Sequence, residues 1–222
     1  MHTFAVAMAI LFSATLYLYH GRRGTFSALV QGLELGIDPL EWGGVFQCAA
    51  AVLLLLAPAL LLTRLVLKVP WSQMGFTIGD WKTGLKICVP FILVAVPAIV
   101  LTQRAGEGLC TFYPLSPFAA RSVGLFLAWQ ASYLVYYVAW EGAFRGVIQL
   151  GMGPRLGLMQ AMLFQTAITT LLHAGHPEIE TLGALVAGPF FGWVAIRTRS
   201  IWYVLAMHAA AGLATDLGCI LA

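Results

Sequence analysis

Residues 138–147 read VAWEGAFRGV and place Glu141 and Arg145 four residues apart inside an otherwise apolar helix. Each charge costs roughly 2.5–3.5 kcal/mol at the centre of a membrane-inserted helix, so the pair needs a reason to be there. The rest of the chain agrees that the solvent is lipid. Of 222 residues, 60% are hydrophobic and 9% charged, whereas a soluble domain carries about a quarter charged residues. Apolar runs long enough for a hydrocarbon core of about 30 Å fall at 3–20, 44–67, 86–103, 122–141, 156–173, 181–196 and 201–221. The expected fold is therefore all-α, a polytopic transmembrane bundle of about seven helices forming a single integral membrane domain over 1–222.

The first run reads as a helix rather than a signal peptide, because no Lys or Arg precedes it and no small-x-small cleavage site stands before Gly21-Arg22-Arg23. The longest polar connections are 21–43, 68–85 and 104–121. The second contains Trp71, Trp81, Lys82 and several glycines, a composition that suits a piece lying on one leaflet. Arg64, Lys68, Lys82, Lys86, Arg155, Arg197 and Arg199 fall on one side of the predicted topology, against Arg22, Arg23, Arg104 and Arg121 on the other. The positive-inside rule puts the set of seven, together with the N-terminus, in the cytoplasm. The net charge of +3 comes from these helix ends, and no basic tract supports nucleic-acid binding. Cys48, Cys88, Cys110 and Cys219 show no CxxC spacing and no Cys/His cluster, and read as core residues.

Ionisable groups at membrane depth concentrate in the C-terminal half: Glu141 and Arg145, then His173, His176, Glu178 and Glu180 in TTLLHAGHPEIET, then His208 and Asp216. Taken singly, each has a structural reading. Glu141 and Arg145 at i, i+4 form a clamp. Glu178 and Glu180 suit the first turn of a helix opened by Pro177. His208, with Gly212 and Asp216 on the same face, suits a hydrogen bond to a neighbouring helix. Taken together, a carboxylate, an arginine and two histidines on three helices can activate water against an amide. Glu takes a proton, His holds water or donates to an oxyanion, and Arg fixes the Glu rotamer. Other intramembrane protease chemistries lack their residues: there is no HExxH, Asp38, Asp80 and Asp216 lie outside aspartyl-dyad settings, and Ser132 has no glycine-flanked nucleophile motif.

WEGAFRG, TTLLH and the His208 helix resemble the CAAX-protease and bacteriocin-processing family, CAAX prenyl endopeptidase-like glutamic-type intramembrane proteases. The resemblance covers about residues 121–222, with the N-terminal helices and interfacial segment over 1–120. The family's Glu-Glu-x-x-x-Arg appears here as Trp140-Glu141-x-x-x-Arg145, its Phe-x-x-x-His as Thr169 to His173, and its His-x-x-x-Asn as His208 to Gly212. This is a Trp-Glu variant with Pro-x-x-Glu from Pro177 to Glu180. The resemblance implies that Glu141 is the base, alone or shared with Glu180, that Arg145 orients it, that His173 binds water and that His208 stabilises the oxyanion. It implies an endopeptidase acting on a membrane-anchored peptide or protein among membrane lipids, in a cell inner (cytoplasmic) membrane. No cofactor is expected, the alternative being a metal at His173, His208 and a glutamate. A non-catalytic scaffold or immunity-type pseudoprotease is the second reading, prompted by Trp140 and Gly212, and a small proton-coupled transporter the third.

Overall fold

The computed structural model describes residues 1–33, 36–104 and 109–222. Part of the expected 104–121 connection, at 105–108, lies outside the described residues. The described chain is helical. Its long elements are α1 (His2–His20), α3 (Pro39–Leu65), α4 (Trp81–Arg104), α5 (Val123–Gly151), α7 (Glu178–Thr198) and α8 (Trp202–Ile220). Two shorter helices join them, α2 (Arg23–Val30) in the first connection and α6 (Leu158–Leu172) between α5 and α7. Among the described residues six helices are long and apolar enough to cross a membrane, as in a multipass membrane protein.

Two expected spans differ in length. The helix expected to end at Glu141 runs ten residues further to Gly151, because those residues continue as wide π-helical turns. Glu141 and Arg145 both lie inside one 29-residue helix, as expected, and that helix continues beyond them. That extension shortens the next element. Gly157, at a φ of +91° that favours glycine, turns the chain, and α6 has 15 residues in place of a full span.

Local chemistry explains the boundaries. Asp38 caps α3 by accepting the Leu40 N–H at 2.9 Å, with Pro39 following in the first turn. Ser122 caps α5 by accepting from Leu125 N–H. Close packing of α7 depends on two glycines: a Cβ at Gly188 would come 2.7 Å from Thr166, and one at Gly192 would come 2.8 Å from Gln149 and Met162.

The connections gather at two ends of the bundle. At one end, Asp80 N–H donates to Thr198 O at 2.8 Å, Ile201 N–H to Gly75 O at 3.1 Å, and Arg155 to Leu67 O at 3.0 Å. This end carries the loops of the seven-cation set. At the other, Arg22 donates to the carbonyls of Leu172 and Ala174, and Arg121 pairs with Glu41. Here also Cys110 and Cys219 form a disulfide, which corrects their reading as isolated core residues; Cys48 and Cys88 are free and buried as expected. Spacing could not show this pair, because 109 residues separate the two cysteines and the bundle alone brings them together.

Candidate active site

α5 supplies the buried charges. Glu141 is wholly buried, and one of its oxygens, Oε1, receives Arg145 Nη1 at 3.1 Å and His208 Nδ1 at 2.6 Å. Three helical positions expected to cooperate are thus joined on one carboxylate oxygen, from α5 and α8. Arg145 is also nearly inaccessible and lies 5.6 Å from the Phe191 ring centre, where the ring face offers a second electrostatic partner. Because a carboxylate only accepts, His208 Nδ1 carries its proton toward Glu141, leaving the Nε2 edge for other partners.

Glu180 forms a second centre. It opens α7, where the helix dipole favours a carboxylate. Its Oε1 accepts from Tyr113 Oη at 2.7 Å and from His176 Nδ1 at 3.0 Å, and lies 3.6 Å from His173 Nε2. His173, immediately after α6, donates Nδ1–H to the Thr169 carbonyl at 2.7 Å, so its Nε2 is the acceptor nitrogen in the neutral ring. Burial is the largest influence on this imidazole and pushes it down to about 4, against the Thr169 carbonyl and Glu180, which favour the charged form. Burial and the Glu180 carboxylate hold the Tyr113 phenol well above its ordinary range, which keeps it a donor. Among the described residues, neither Glu141 Oε2 nor Glu180 Oε2 has a hydrogen-bond partner.

A cavity of about 410 Å³ joins the two centres. Arg145, His173, His176, Glu180 and His208 line it, and Glu141 lies behind that wall. Four of the five sequence-derived site residues therefore face one space, and the fifth holds two of them. Asp216 does not line the cavity; it accepts from Trp129 Nε1 at 2.7 Å and Gln130 at 2.8 Å, which fastens α8 to α5. Among the described residues no group of three His, Cys, Asp or Glu side chains is arranged to hold a metal.

The two departures from the motif have visible occupants. Trp140 is buried against Phe144 and Tyr136, with its ring edge-on to His173 at 5.6 Å, so an apolar wall stands beside the imidazole. At Gly212 any side chain would collide with the Tyr137 hydroxyl, and the Tyr137 ring lies 4.7 Å from that of His208. Tyr113 and Tyr137 are site-lining residues that sequence reading missed. Tyr113 sits in a loop with no periodic signal. Tyr137 belongs to the cluster Tyr133, Tyr136 and Tyr137, whose density of hydroxyls in an apolar helix was the available sign.

Residues 122–214 match the family model described as type II CAAX prenyl endopeptidase Rce1-like. The matched segment contains WEGAFRG, TTLLH and His208 with Gly212, the same stretches on which the resemblance rests. No curated protein and no solved structure gave a significant match.

Proposed function

We propose that the chain is an active glutamic-type intramembrane endopeptidase in which Glu180 and His173 activate the water, while Glu141 holds Arg145 and His208 in place. The observation that supports this most is the 3.6 Å separation of His173 Nε2 from Glu180 Oε1 at the cavity wall. That gap is too long for a direct hydrogen bond and suits a water that donates to both.

As the water oxygen attacks the amide carbon, one of its protons passes to Glu180. The C–O bond forms and the carbonyl oxygen becomes an oxyanion. His208, its Nδ1–H held by Glu141, would offer Nε2–H to this charge in its imidazolium form, with Arg145 adding a fixed positive field through the same wall. Collapse breaks the C–N bond, and the leaving amine takes the proton from Glu180. Tyr113 and His176 fix the carboxylate rotamer throughout. The substrate is a membrane-associated peptide, the carboxylate and imidazoles supply the water activation without a metal, and the setting is a cell inner membrane.

Purified protein in detergent should cleave one or more members of a membrane-anchored reporter library, and His173→Ala should abolish that cleavage while remaining folded. A second reading, a scaffold that keeps the fold without catalysis, is favoured by one observation: Trp140 fills with indole the place where the family motif carries its first glutamate. Absence of cleavage by wild type across the library, with partner binding intact, would select the scaffold.

A further inference from the structure

The segment 109–121 closes one end of the cavity. Leu109, Tyr113 and Leu115 line it, and Tyr113 reaches Glu180. Its two halves are held differently. The later half is built into the bundle: Leu115, Ser116 and Ala119 are buried, a Cβ at Gly44 of α3 would meet the Leu115 backbone and Ser116, and Arg121 pairs with Glu41. The earlier half is half-buried; Phe112 and Tyr113 rest against the core of α5, Arg23 donates to the Phe112 carbonyl, and Cys110 approaches Gln103. Phe112 lies 4.5 Å from the His176 ring and beneath Arg23, and Tyr113 donates to Glu180. The disulfide from Cys110 to Cys219 ties this half covalently to the end of α8.

Two independent features assign this end of the bundle to the oxidising side of the membrane. Disulfides persist outside the cytosol. The opposite end carries the loops with seven lysines and arginines, which the positive-inside rule places in the cytoplasm. His173, His176 and Glu180 lie at the disulfide end, together with Arg22 and Arg23.

We propose that residues 109–113 are a strap, fastened by the Cys110–Cys219 disulfide, that closes the cavity on the non-cytoplasmic face, so that the site assembles only after oxidation in that compartment. Fastening joins two thiols as one S–S bond, with two electrons and two protons passing to a disulfide-bearing oxidant there. Reduction by a phosphine in water reverses this, giving two thiols and the phosphine oxide. Released, the strap can swing from the anchored half at Leu115, taking Tyr113 away from Glu180 and opening the cavity. The function of the strap rests on reading the cavity as the active site, but its position and fastening can be tested without any cleavage assay.

The test uses spheroplasts expressing the full chain with the two buried free cysteines replaced (Cys48→Ala, Cys88→Ala), a membrane-impermeant maleimide, and an impermeant phosphine. Cys110 and Cys219 should stay unlabelled until the phosphine is added, then both label without permeabilisation. A third cysteine, Ala184→Cys on the α7 wall of the cavity, should label severalfold faster after reduction. It should label at that faster rate without reductant in a chain also carrying Cys110→Ser and Cys219→Ser. Labelling of Cys110 and Cys219 without reduction, labelling only after permeabilisation, or an Ala184→Cys rate indifferent to reductant would each overturn the proposal. A protein that passes these tests yet cleaves nothing would leave the strap in place and remove the protease reading alone.

Discussion

His208 Nδ1 and Arg145 Nη1 converge on the same oxygen of Glu141, at 2.6 and 3.1 Å, and Glu141 exposes nothing to solvent. Two cation-forming groups from α5 and α8 are thus tied to one buried carboxylate. Neutralising it leaves Arg145 as an unpaired charge in an apolar interior, which costs about 3–5 kcal/mol. Glu141→Gln should therefore lower the thermal midpoint in detergent strongly, and Glu141→Gln with Arg145→Met should regain much of the loss. Equal midpoints for wild type and Glu141→Gln would remove the clamp from this account.

The glycine at 212 makes a steric prediction. Gly212→Ala puts a methyl group against the Tyr137 hydroxyl, and overpacking of this kind costs about 1–3 kcal/mol. The loss should appear as a lower midpoint and shrink when Tyr137→Leu is added. A simple restoration of asparagine, Gly212→Asn, should harm the protein for the same reason, although it brings the motif closer to its family.

These two positions show how much the sequence could tell. Helix existence was legible because each span is a long apolar run, and the α5–α8 alliance was legible because few ionisable residues occur at membrane depth. The extent of α5 was not, since apolar periodicity carries no mark for π-helical turns and residues 142–151 look like the exit from a span. The pairing of Glu180 with Tyr113 was also hidden. It joins residues 67 apart through a loop, and no local pattern encodes such a contact. Gly212 was read as a missing asparagine; only the packing shows that Tyr137 occupies its space.

His173 gives a pH signature. Its imidazole is held at about 4 in the folded protein, against roughly 6.5 unfolded. Between these values the unfolded chain binds more protons than the folded one, so stability rises with pH there. Its contribution is complete above about 6.5, declines as pH falls toward 4 and levels off below. His176 and Glu180 face the same ring, so the measurement is a difference: thermal midpoints of wild type and His173→Gln compared from pH 7.5 to 5. The gap should change with pH, wild type losing more on acidification. A constant gap would contradict the placement of this ring.

Chelation should leave any cleavage unchanged, because water activation is assigned to Glu180 and His173. Reporter cleavage before and after dialysis against a strong chelator checks this, and loss that zinc restores would replace the proposed chemistry with a metal-assisted one.

The central claim is that the working carboxylate is Glu180, at the cavity wall, and not the sealed Glu141. The most direct measurement is the cleavage rate of a membrane-anchored reporter by Glu180→Gln beside wild type, with thermal midpoints taken on the same samples. A proton-transfer group contributes about 10²–10⁴-fold, so the account predicts a loss of that size with a nearly unchanged midpoint. Near-wild-type cleavage by Glu180→Gln would contradict it and return the catalytic role to Glu141.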